Sequence, residues 1–209
     1  MQLKAWGIII TLWQNLLNFF FQPLVLIMIL SLTIGLWRGG RLSELAELVS
    51  LKKWELILTA FLIQCVLATL GEKGLTFLIW AGPPLHILSY VLLLIVIWYN
   101  RPIKGFSFIG VGIFLNFLVI LANGGHMPVW VEGAIQAKLK GILPLLQSKT
   151  YVLHSALTEQ TRLKFLSDII VLPPPYPRPK VLSPGDIIIA VGLFILIQQW
   201  MLKKDPGKI

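Results

Sequence analysis

The sequence predicts an all-α integral membrane protein with about five transmembrane helices, interfacial amphipathic helices and a long proline-rich extracytoplasmic loop. Composition is the first reason: 56% of the 209 residues are hydrophobic and 13% are charged, about half the charged share of a soluble domain. The second is that apolar runs approaching the roughly twenty residues needed to cross a bilayer recur along the chain. The third is the placement of charge. The formal +9 is carried by Lys and Arg at the ends of those runs, which is the pattern of membrane-protein loops and not of a nucleic-acid surface. The lipid bilayer and a second membrane protein are therefore the expected partners, with no nucleic acid and no cofactor.

Residues 1–22 read as an N-terminal interfacial extension. Thr11, Gln14, Asn15 and Asn18 fall at helical spacing opposite Trp13, Leu16, Leu17 and Phe20, which suits a helix lying along a membrane surface. No small-residue cleavage pattern follows, so the segment is expected to stay attached. Residues 23–209 form a single polytopic domain. Its clear spans are Pro23 to Trp37, Trp54 to Leu70, Gly105 to Ala122 and Ile187 to Leu202. In the run Leu75 to Trp98, Gly82, Pro83 and Pro84 predict a kinked first turn, with unbroken helix only from Leu85. After the first span, "RLSELAELVSL" adds a short amphipathic piece with Leu42, Leu45, Leu48 and Val49 on one side. Cys65 stands alone in an apolar run, which excludes an intramolecular disulfide.

Orientation follows from the short loops. Arg38, Arg41, Lys52, Lys53, Arg101, Lys104, Lys203, Lys204 and Lys208 fall on one side, and Lys4 and Lys73 oppose them. That bias puts the N-terminus outside and the C-terminus in the cytoplasm, with the loop 123–184 outside. The loop carries seven more Lys and Arg residues, but loops of that length obey the positive-inside rule poorly.

Most of the unusual chemistry lies in or beside this loop. Asn116 and Asn123 are two helical turns apart, with Gly112 one turn below, so a polar stripe runs up one helix face. Unpaired amides are costly in lipid, so the stripe is expected to face other helices as interhelical glue. Gly124 and Gly125 can end the helix through positive φ, and Met127-Pro128 turns the chain aside. "VEGAIQAKLKGILPLLQS" predicts an interfacial helix with Ile135, Leu139 and Ile142 on one face. Arg162 and Asp168, six residues apart, can pair with each other or with lipid phosphates. Pro173, Pro174, Pro175, Pro177 and Pro179 predict an extended polyproline strap. The strap leads into "SPGD", where Ser183 suits an N-cap, Pro184 the first helical position and Asp186 the first turn. Capping accounts for Asp186, and a functional carboxylate remains the alternative.

"NFLVILANGGHMPV" and "TRLKFLSDIIVLPPPYPRPKVLSPGDIIIAVG", with the earlier "GLWRGGRL" and "WYNRPIKG", resemble an uncharacterised bacterial integral-membrane family over roughly Leu24 to Leu202. Its signatures are N-G-G-x-M-P and P-x-P-K-V-x-S-x-G-D, the latter containing Ser183, Gly185 and Asp186. The resemblance implies membership without an activity. More weakly, "LSPGDIIIAVGLFILI" is similar to the final helix of lipoprotein signal peptidase, an aspartyl membrane protease. That similarity implies catalytic roles for Asp186 and for Asp168, eighteen residues earlier. The chain lacks that enzyme's Asn-x-Gly-Ala-Ala-Phe stretch and its Asp-Arg pair.

Three function classes follow. A noncatalytic membrane subunit that docks a partner or lipid through its outer loop is the expectation from sequence. An aspartyl peptidase-like enzyme using Asp168 and Asp186 is the alternative, and a small transporter or channel the second. His86, His126 and His154 are far apart in sequence without ligand spacing, so no metal site is expected.

Overall fold

The computed structural model describes residues 22–45, 51–71, 75–103, 105–139, 141–147 and 151–202. The expected interfacial helix over residues 1–22 therefore lies outside the described residues, Gln22 excepted. So does most of the second half of "RLSELAELVSL", of which residues 42–45 form a 3-10 turn.

Five apolar helices make the body: α1 (Pro23–Trp37), α2 (Trp54–Gly71), α3 (Thr76–Asn100), α4 (Phe106–Ala122) and, last in sequence, α7 (Pro184–Met201). Among the described residues, three stretches are long and apolar enough to cross a membrane by length and composition: Trp54–Gly71, Phe77–Asn100 and Pro184–Met201. The other two helices are apolar but shorter, at 15 and 17 residues. α2 packs on α3, α3 on α4, α4 on α7 and α7 on α1, so the last helix is inserted between the first and the fourth. Large apolar side chains such as Leu58, Phe61 and Leu62 on α2 face outward, an arrangement that water would penalise and lipid would not.

The third span differs from expectation. Pro83 and Pro84 lie inside a continuous 25-residue helix and do not break it. They forfeit two intrahelical donors, but the same face is held by packing. Val152 sits directly over Gly82, and Gly125 presses on Pro83.

At the end of the bundle that carries residues 123–184, the prediction of an all-α chain is corrected. β1 (Met127–Val129) pairs in parallel with β2 (His154–Ala156), and β3 (Ile170–Leu172) pairs antiparallel with β4 (Lys180–Leu182). The five prolines thus connect a hairpin instead of forming an extended strap. The strand ends are tied by Ile169 N–H to the Leu182 carbonyl at 3.1 Å, and the prolines occupy connecting positions where a missing donor costs no ladder bond. The single interfacial helix expected over 131–148 is, among the described residues, two short ones, α5 (Val131–Gln136) and α6 (Leu143–Gln147). Lys138 breaks it at φ 57°. Lys138 N–H donates to the Ile135 carbonyl and Leu139 N–H to that of Ala134, the paired bonds of a Schellman stop.

Three apolar clusters fasten the layers. Val96, Phe106, Leu196 and Trp200 join α3, α4 and α7 at the short-loop end. Val119 and Ile120 meet Met127 and Leu166 beneath the loop, and Leu67 and Leu78 meet Val152. At the short-loop end the α1–α7 contact is also polar. Gln198 donates to Ser31 and accepts from Arg38, and Ser31 donates to the Phe194 carbonyl.

Candidate functional site

Asn116 is the hub of the loop end. Its Nδ2 donates to Asp186 Oδ1 at 2.9 Å, and its Oδ1 accepts from the Ser183 hydroxyl at 2.8 Å. Such closeness requires small residues at the α4–α7 crossing. A Cβ on Gly185 would fall 2.7 Å from the Gly112 carbonyl oxygen and on top of the Asn116 amide. The "SPGD" turn forms a full capping box: Asp186 N–H donates to Ser183 Oγ at 3.0 Å, and Ser183 N–H donates to Asp186 Oδ2 at 3.1 Å. Both Asp186 oxygens are therefore held by N–H donors.

Asp168 arrives from the other side. It forms an isolated parallel bridge with Val129, donating its N–H to the Pro128 carbonyl and accepting from Trp130 N–H, each at 2.9 Å. Met127-Pro128, expected only to redirect the chain, is thus a strand whose backbone fixes Asp168. Its carboxyl is buried, with 6% of the residue exposed. Among the described residues its one cationic contact within 4 Å is His154, Nε2 to Oδ2 at 3.9 Å, beyond hydrogen-bonding reach. Asp168 and Asp186 line one cavity of about 170 Å³ together with Gln64, His86, Tyr90, Asn116 and His154. Burial first, and the Asp186 charge second, hold the Asp168 carboxyl well above the usual carboxylate range, against an opposing pull from Lys180.

Asn123 and Arg162 do not enter this cavity. They clasp each other: Asn123 Nδ2 donates to the Arg162 carbonyl and Arg162 N–H donates to Asn123 Oδ1, both at 2.9 Å. The expected Arg162–Asp168 ion pair is not formed among the described residues. Gly124 and Gly125 both adopt positive φ, at 68° and 93°. The Gly125 carbonyl meets His86 Nδ1 at 2.7 Å. The turn therefore orients a histidine as well as ending a helix.

Sequence reading missed the histidines. His86 from α3, His126 from the turn and His154 from β2 converge, because Met127 pairs with His154 in the β1–β2 register. Among the described residues, ring atoms Nδ1 of both His126 and His154 are buried without a hydrogen-bond partner. Burial, and then the charges of His86, Lys180 and His126, push His154 below the usual histidine range. Among the described residues, no three His, Cys, Asp or Glu side chains stand close enough to hold a metal ion.

These shifts have opposite signs in pH. A raised carboxyl pKa means that the folded state binds the extra proton, so Asp168 contributes stability below the ordinary carboxylate range, and it is lost as pH rises through the raised value. A lowered histidine pKa contributes stability that is present above about pH 6.5 and lost as pH falls below it. Asp168→Asn should therefore flatten the decline of the thermal midpoint on raising pH from the carboxylate range. His154→Gln should flatten the decline on the acid side. Unfolding in detergent across pH checks both, and unchanged slopes would contradict the burial argument.

The body and loop end define a mostly helical protein with three helices suited to a bilayer and two aspartates converging on one polar cavity. The chain belongs to a family of unknown function, DUF5317, which it matches over residues 48–198. That match takes in "WYNRPIKG" and both loop motifs and begins after "GLWRGGRL". The chain is also 36% identical over 108 residues to an uncharacterized protein of Thermotoga maritima. That stretch is 52% of this chain and 59% of the relative's length. No solved structure matches the chain.

Proposed function

We propose that this is a multi-pass membrane protein whose loop end is an aspartyl hydrolase site, with Asp168 as general acid and Asp186 as general base on an amide bond presented at the membrane surface. The observation that carries this reading is the shared cavity, in which one carboxyl is buried and proton-retaining and the other is held by N–H donors. Water attacks the carbonyl carbon while Asp186 takes its proton and Asp168 gives its own to the carbonyl oxygen. The resulting gem-diol collapses: the C–N bond breaks, the nitrogen takes the proton from Asp186, and Asp168 recovers one from the diol hydroxyl. Asp186 retains lone pairs for this step beyond those already accepting bonds. The resemblance of the last helix to that of lipoprotein signal peptidase, read from the sequence, suits the same role for Asp186.

The test is hydrolysis of membrane-anchored peptides by protein reconstituted in vesicles, read by mass spectrometry, with a statine peptide as the gem-diol mimic. Cleavage blocked by statine is expected. Folded protein with neither cleavage nor statine binding would overturn the reading in favour of a docking subunit. That second reading is favoured by Asp186, whose oxygens are already satisfied structurally, and by Phe165, 66% exposed on the loop.

The membrane placement rests on five spans, with the N-terminus and the 123–184 loop outside. Exposed aromatics support it. Trp37, Trp54 and Trp98 ring the short-loop end, and Phe77 and Trp80 lie toward the other, as at two lipid–water interfaces. Single cysteines at Glu159 and Ser43 in a Cys65→Ala background test it on intact cells with an impermeant maleimide. Labelling is expected at Glu159→Cys alone, and labelling at Ser43→Cys alone would invert the topology.

A further inference from the structure

A larger cavity of about 840 Å³ opens between α1, α7 and the β3–β4 hairpin. Its volume falls within the roughly 300–1,000 Å³ typical of ligand sites. Its walls are apolar, with Leu24, Ile27 and Leu30 on α1 and Ala190, Val191 and Phe194 on α7, and its polar lining is Gln22 at the start of α1, Tyr176 and Lys180 on the hairpin, and Asp186 in the first turn of α7. An apolar channel between two spans with charge at one end has the layout of an amphiphile.

The sign of the mouth selects among amphiphiles. Lys180 is half-buried, and burial, then the nearby charge of Arg178, push it below the usual lysine range, while Asp186 and Asp168 pull the other way. Neither Lys180 nor Arg178 has an acidic partner within 4 Å among the described residues. Asp186, the acid at the mouth, accepts from Asn116 and Ser183 and makes no ion pair with either cation among the described residues. Lys180 is the cation that lines the mouth, with the Arg178 charge adding to the positive field there, and a cation at the end of an apolar channel suits an anion.

We infer that this groove binds an anionic glycerophospholipid of the surrounding bilayer, with acyl chain between α1 and α7 and phosphate at Lys180. The site goes beyond the hydrolase reading and does not depend on any bond being cleaved. It does place a lipid headgroup beside Asp186, the one residue that lines both cavities.

The test uses the full chain in phosphatidylcholine nanodiscs, with tail-spin-labelled phosphatidylglycerol or phosphatidylcholine as probe and the motionally restricted component as readout. Phosphatidylglycerol should be restricted in preference to phosphatidylcholine. Lys180→Gln should lower that preference about fivefold, the weight of one interfacial cation, and Lys180→Arg should keep it. Ala190→Trp, which fills the channel, should remove the restricted component for both lipids. If it does not insert, Val191→Trp serves the same purpose. Equal restriction of the two lipids, or a preference untouched by Lys180→Gln and by the filling variant, would overturn the proposal.

Discussion

On the proposed hydrolase reading, Asp168→Asn is expected to lower hydrolysis about 10²–10⁴-fold, the usual cost of removing a general acid, while leaving a folded protein. The substitution is nearly isosteric, and it replaces a buried carboxyl that keeps its proton well above the ordinary range. The fold therefore loses little, and the activity measurement is clean. Asp186→Asn is the harsher change. Asn116 Nδ2 and Ser183 N–H point at the two different oxygens of Asp186, so whichever way the new amide turns, its NH₂ opposes a donor. An unmade bond of this kind costs about 1–3 kcal/mol, more than the dipole contribution alone of about 0.3–1 kcal/mol. Activity lost in Asp186→Asn is thus interpretable only beside a measured thermal midpoint. Full activity of Asp168→Asn would end the hydrolase reading.

The second large effect is structural. Gly185→Leu is expected to prevent the α4–α7 contact, because even a Cβ there would meet the Gly112 carbonyl and the Asn116 amide. The variant should fail to accumulate as folded protein. Gly185→Ala should lose about 1–3 kcal/mol, the usual cost of overpacking, with Asn116 pushed off Asp186. Expression level and thermal midpoint in detergent check both, and a wild-type midpoint in Gly185→Ala would mean that the crossing is looser than described.

The site was legible where local chemistry is written in adjacent residues. Ser183, Pro184 and Asp186 spell a helix start, and the cap forms as spelled. Asn116 read as a polar group needing a partner on another helix, but the partner's identity depends on which helix returns beside α4, and α7 lies 70 residues on. The stripe also misled: Asn123 shares its face with Asn116 yet spends its amide on the Arg162 backbone. The histidine cluster was invisible because it depends on the parallel register of two three-residue strands, too short to leave a period. The proline run suggested an extended strap because its composition favours that conformation locally. Antiparallel pairing with Lys180–Leu182 overrides the local preference. Lys138 ends α5 in a conformation that usually marks itself with glycine, so two helices looked like one.

The hydrogen bond between Asn116 and Asp186 has a consequence for biogenesis. Asn116 leaves the ribosome 70 residues ahead of Asp186, so on the proposed five-span topology α4 arrives in the bilayer with its amide unanswered and waits for α7. A polar group without a partner in hydrocarbon is costly, and the interval is one in which the half-made bundle offers that amide to the insertion machinery or to a membrane chaperone. Release as a finished protein then coincides with entry of the last helix. The bond that assembles the site would thereby act as a completion check, and chains cut short before Ser183 would display an uncovered amide to membrane quality control.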